Sequence, residues 1–273
     1  MNMIQFLEDL TRVGEIHPLD APATTRRDTL GRIGRAAVDF SKVALPFGAA
    51  FAAAAPGAQA QGTTRTAVDV FNFALLLEYL EAEFYERGLA ASGLVTGTDR
   101  DVIALIGAHE TAHVEFLRQT ISANGGRPVD RPEFDFTAGS TFADVFRNPA
   151  TFLAVAQAFE DTGVRAYKGQ ARFLVGAGEL LTAALRIHSV EARHAAMIRR
   201  LREQSPWVPL ADGVGSADPT YRVYGGEENV TQLGVDASAA PFSGGVSLEQ
   251  ATEAYDEPLS TEQANAIAAL FMV

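Results

Sequence analysis

Between residues 66 and 91 the apolar side chains Val70, Phe73, Ala74, Leu77, Leu80 and Phe84 recur at steps of three and four, with no proline and no glycine before Gly88. That period predicts a long helix with one buried face. Ser92 to Gly97 read as a short turn. Thr98 with Asp101 three residues on predicts a capping box, and a second helix runs to Ala123, where Asn124-Gly125-Gly126 stops it. Residues 127–147 hold Pro128, Pro132, several aromatics and a short apolar patch, a connection too long for a simple turn. Asn148 as N-cap and Pro149 at the first helical position then open a third helix, to about Leu174. After Gly176-Ala177-Gly178 a fourth helix covers 179–204 and ends at Ser205-Pro206. The expected fold class is all-α: two helical hairpins joined by a long crossover between the second and third helices, forming a four-helix bundle.

Both ends of the chain differ from this periodic centre. Residues 205–273 are rich in glycine and proline and hold little periodicity until Ser260, whose capping box with Gln263 predicts a short last helix. This stretch carries ten acidic residues against Arg222 alone, so it supplies −9 of the net −12 of the chain. It is expected to be an irregular acidic cover packed on the bundle. At the other end, Arg26-Arg27, Leu30, the apolar stretch Val43 to Ala55 and the triplet Ala58-Gln59-Ala60 follow one another in the order of a twin-arginine export signal. A cytoplasmic protein with a retained Ala-rich helix is the alternative, favoured by Asp39, Lys42 and the length of chain before the arginines. Three segments result: a leader over 1–60, a bundle over 61–204 and an extension over 205–273.

Composition narrows the chemistry. The 273 residues are 47% hydrophobic and include no cysteine, which excludes disulfide scaffolds, iron–sulfur clusters and thiol nucleophiles. The acidic balance disfavours nucleic acid and anionic membranes, and no apolar run is long enough for a stable membrane span. A metal cation on oxygen and nitrogen donors is the easier partner.

The second helix contains Glu110-Thr-Ala-His113 and the fourth Glu191-Ala-Arg-His194, each placing a carboxylate and an imidazole one turn apart on one face. The first helix offers Glu78 and the third Glu160, and the intervals within the two hairpins are 32 and 31 residues. Tyr85 and Tyr167 each lie seven residues past those glutamates, so the two hairpins read as repeats of one another. Glu81 and Glu83 crowd the first-helix position, and either could take the place of Glu78, which the tyrosine register favours. Four inward carboxylates and two imidazoles are costly to bury unless something neutralises them, and two divalent cations match the −4 of the carboxylates. A glutamate from each of two helices and a Glu-x-x-His from each of the others is a donor set that suits a dinuclear site.

On these residues the sequence resembles the ferritin-like superfamily. ALLLEYLEAEFY at Ala74 to Tyr85 is similar to the first helix of bacterioferritin and rubrerythrin relatives, and ETAH, the FED at Phe159 to Asp161 and EARH fill the other motif places. The leader and the tail segment AYDEPLSTEQ are more similar to exported bacterial ferritin-like proteins related to desiccation-associated proteins. The resemblance implies Glu78, Glu110, His113, Glu160, Glu191 and His194 as metal ligands and Tyr85 and Tyr167 as redox-adjacent groups behind them. It implies two iron ions, with two manganese ions as the alternative, and ferrous iron, oxygen or peroxide as partners, in the manner of a ferroxidase or peroxide scavenger acting in oxidative or desiccation stress. Association into a homo-oligomer is compatible with it. The acidic tail argues against a storage cage, and the lack of cysteine excludes the second iron domain of a rubrerythrin.

Three other functions compete: a dimanganese catalase-like enzyme, a non-catalytic protective bundle, and a zinc protease. His109-Glu110-Thr-Ala-His113 is a literal HExxH, but Phe116 and Gln119, at the spacing of a third ligand, bind nothing, and Glu133 lies in a proline-flanked connection. The protease reading also leaves Glu78, Glu160, Glu191 and His194 without a role. His188, three residues before Glu191, is expected to be a surface or core residue.

Overall fold

A computed structural model of the protein describes residues 65–210, 219–239 and 246–273. The expected leader over 1–60 lies outside the described residues.

Four long helices form where the apolar period predicts them. Helix α1 (Ala67–Ala90) starts in a reciprocal cap, with Thr66 accepting from the Asp69 N–H and Asp69 accepting from the Thr66 N–H. Helix α2 (Gly97–Ala123) begins earlier than its predicted Thr98–Asp101 box, and that box is absent. An N-cap must stay outside the helix in extended backbone; Thr96 occupies that place and Thr98 lies within the first turn. Helix α3 (Pro149–Ala171) is capped by Asn148, whose side chain accepts from the Ala150 N–H, and tightens into a 3-10 turn over Arg172–Leu174. Helix α4 (Glu179–Leu201) stops three residues short of its predicted end.

Helices α1 and α2 pack as one hairpin and α3 and α4 as the other, with α1 on α3 and α2 on α4 closing the bundle. Every residue of α3 from Phe152 to Tyr167 is buried. A helix buried on all sides needs cover on all sides, and the crossover and the tail supply the outer part of it. The crossover inserts Phe134, Phe136, Phe142 and Val145 into the core, where Phe84 stacks on Phe152 and meets Phe136 and Phe159 edge-on or tilted. Its start pairs with the last residues of the chain: Asp135 N–H donates to Phe271 O and Val273 N–H to Glu133 O.

The extension holds more local structure than its composition suggests. Beside a 3-10 turn over Pro219–Tyr224 and the predicted last helix, here α6 (Thr261–Ala268) with the Ser260–Gln263 box, there is a two-residue hairpin of β1 (Thr231–Gln232) and β2 (Val235–Asp236). A short helix α5 (Leu248–Thr252) also forms, with its own Ser247–Gln250 box, which sequence reading passed over. The extension is pinned to α3 through Arg165, which is 3% exposed. Its guanidinium forms an ion pair with Glu227 at 2.6 Å and donates to the carbonyls of Val223, Gly225 and Glu257. One turn on, a Cβ on Gly169 would lie 1.9 Å from Leu259 O, so only glycine lets the tail backbone lie this close. Among the described residues no helix is long and apolar enough to cross a membrane.

That close approach yields a test. Gly169→Ala must displace the tail from α3 and is expected to destabilise the protein by about 1–3 kcal/mol, with earlier proteolysis in 246–273 and the helical signal of the bundle retained. An unchanged melting point and cleavage pattern would mean the tail is not held there.

Candidate metal centre

The period that buries one face of each helix also carries the polar cluster inward, because residues three and four apart share a face. Glu78, Glu110, Glu160 and Glu191 are each 0% exposed, one from each helix, and meet at one level of the bundle. His113 and His194 lie one turn beyond Glu110 and Glu191 on their helices and are largely buried.

Two overlapping groups of donors result: Glu78, Glu110, His113 and Glu191, and Glu110, Glu160, Glu191 and His194. In each, one donor atom per residue lies within 4.8 Å of the others, the spread that a single metal ion can span. Glu110 and Glu191 belong to both groups. His113 Nδ1 sits 3.2, 3.1 and 3.2 Å from oxygens of Glu78, Glu110 and Glu191. His194 Nδ1 sits 2.7 Å from Glu110 Oε1 and 3.3 Å from Glu160 Oε2, yet none of these three atoms has a hydrogen-bond partner in proper alignment. Both oxygens of Glu191 are likewise without one. Buried polar atoms are normally satisfied, so lone pairs converging on common points are the pattern that a cation completes.

The tyrosines hold the outer glutamates crosswise. Tyr85 on α1 donates to Glu160 Oε1 on α3, and Tyr167 on α3 donates to Glu78 Oε1 on α1, both at 2.5 Å. Each bond leaves the other carboxylate oxygen for its donor group. Burial, followed by the charge of the glutamate each one faces, pushes both phenols well above their usual range.

Sequence reading left the first helix open, and the geometry separates its candidates. Glu83 pairs with Arg87 and Arg131, away from the cluster. Glu81 is buried beside it without joining either donor group. His188 bonds to the Val164 carbonyl and takes no part. In the sequence His109 figures only as half of an HExxH. Its Nδ1 instead lies 2.9 Å from His194 Nε2, with the rings stacked, so it abuts the back of a donor and joins neither donor group. Only the packing of α2 on α4 reveals this contact. The donor group that holds His113 is completed by Glu78, Glu110 and Glu191 and not by His109, which is not the two-histidine arrangement of a zinc protease.

A family model for the ferritin-like domain matches residues 66–204, half of the chain and the whole of the four-helix bundle. The chain belongs to the ferritin-like domain family. The comparison with curated proteins gave no match.

Without metal, the cluster holds protons instead. Burial, then the charge of Glu160, pushes Glu110 up to about 7 from 4.5. Burial alone would lower His194, but Glu160 and Glu110 raise it to about 10 from 6.5. His113 is raised as well, its carboxylate partners outweighing burial. From pH 4.5 to 7 the folded protein keeps a proton on Glu110 that the unfolded chain has released, so rising pH costs stability. The His194 contribution is present below 6.5 and is lost as pH rises through 10, which has the same sign. The chelator-treated protein is therefore expected to melt at progressively lower temperature from about pH 5 to pH 9, with divalent metal flattening the trend. Melting curves by circular dichroism check this, and a rise in stability over that range would contradict it.

Proposed function

We propose that the protein is a dinuclear ferritin-like protein in which Glu78 and His113 hold one metal ion, Glu160 and His194 the other, and Glu110 and Glu191 bridge the two. The observation that carries this is the sharing of Glu110 and Glu191 by two donor groups that each own one imidazole. Four carboxylates against two divalent cations leave the donor set without net charge. The donors are oxygen and nitrogen only, which suits iron and manganese equally, so the preference for iron rests on family likeness.

Ferrous iron held by these residues would supply the electrons that reduce oxygen or peroxide. The chain's own residues determine what surrounds that chemistry. Tyr85 and Tyr167 fix the orientation of Glu160 and Glu78 and keep their protons, being far below their raised titration points at neutral pH. Phe84 and Phe152 pack beside Tyr85, with Phe159 against Phe84, and keep bulk water from that side. Glu110 and His194 hold protons in the metal-free state that binding must displace, so uptake releases acid. This reading places the protein among scavengers of ferrous iron and peroxide in oxidative or desiccation stress. The arginine pair and the apolar stretch of 1–60 support export through the twin-arginine route.

Elemental analysis after loading with ferrous iron or manganese is expected to give about two ions per chain. Glu110→Ala, still helical, should lose both ions together with ferrous-iron or peroxide turnover. Retention of two ions by that variant would refute the bridging role, and loss of turnover without loss of metal would separate the two functions. For export, N-terminal sequencing of the protein from a periplasmic fraction is expected to begin near Gln61; a cytoplasmic protein starting at Met1 would contradict it.

A further inference from the structure

A dinuclear site whose four carboxylates are fully buried needs a path for its ions, and the described residues offer one. Glu81, one turn past Glu78 on α1, is only 3% exposed. A methyl group on Gly163 of α3 would lie 3.3 Å from Glu81 Oε1 and 3.1 Å from Glu191 Oε2. The missing side chain at 163 therefore gives these two carboxylates a common space. Glu191 Oε2 is fully buried and has no hydrogen-bond partner, so it has lone pairs to offer there. Glu81 also lines a narrow cleft of about 10 Å³, roughly the room of one water, with Leu80, Phe159 and Thr162 of the bundle and Ile267 and Ala268 of α6. It is the one acidic side chain in that lining.

We propose that Glu81 receives divalent cations at the cleft beneath α6 and passes them across Gly163 to Glu191, loading the inner site. This rests on the reading of the cluster as a dinuclear metal centre. The transfer is an exchange of carboxylate and water ligands on an unchanged ion, with no oxidation or reduction. Glu81 is the one acidic donor in an otherwise uncharged lining, and a second carboxylate with free oxygens stands inward of it, so an ion held at Glu81 has one direction in which to move. The tail thus acquires a role, since α6 forms the outer wall of the route.

Cobalt(II), whose visible absorbance changes on binding, is a suitable probe of loading by stopped flow with the full chain, and dialysis followed by elemental analysis gives the final stoichiometry. Glu81→Gln keeps shape and removes the carboxylate ligand. It is expected to slow loading by about tenfold or more while leaving two ions bound at equilibrium. Ile267→Ala widens the cleft and is expected to accelerate loading at the same stoichiometry. Wild-type rates in either variant would overturn the route, and loss of an ion in Glu81→Gln would make Glu81 a ligand of the inner pair instead. If wild type itself takes up no cobalt, the failure lies with the dinuclear reading and not with Glu81.

Discussion

Four carboxylates withdrawn from water at one level of a helical bundle set a charge requirement that the surrounding structure must meet. Each would cost several kcal/mol to bury as an isolated anion. Protons meet the requirement partly, as the elevated Glu110 and the protonated imidazoles indicate. Two cations would meet it fully. The crosswise tyrosine bonds, the two imidazoles and the unpartnered carboxylate oxygens all make sense as means of holding that charge in place.

The requirement also organises the outside of the molecule. Helix α3 gives its inner face to the cluster and is buried on its other faces as well, so it needs the crossover and the tail as cover. Arg165 answers this from within α3: it draws three backbone carbonyls and Glu227 of the tail onto the helix. The acidic tail is thus partly an internal counterion to α3. The last residues close the circuit by pairing with the crossover beside Phe159, whose neighbour in sequence is Glu160.

Much of this was legible in the chain because it is local. Caps such as Asn148 and Ser260–Gln263 act within four residues, and the inward register of Glu110, His113, Glu191 and His194 follows from helical period alone. The Thr98–Asp101 box misled because the pattern occurs equally well just inside the first turn of a helix. Contacts made across the fold left no local signal. Nothing around Gly169 announces that Leu259 will pack against it, and nothing in HETAH tells that His109 turns to His194. Glu78 and Glu81 share a face by their spacing, so both were bound to point inward; only the position of Glu191 and the gap at Gly163 separates their roles.

The most direct test of the account is anomalous X-ray diffraction from crystals loaded with ferrous iron or manganese. Two peaks are expected inside the bundle, one beside His113 and Glu78 and one beside His194 and Glu160, with Glu110 and Glu191 between them. A single peak held by His109 and His113, or none among these residues, would contradict it.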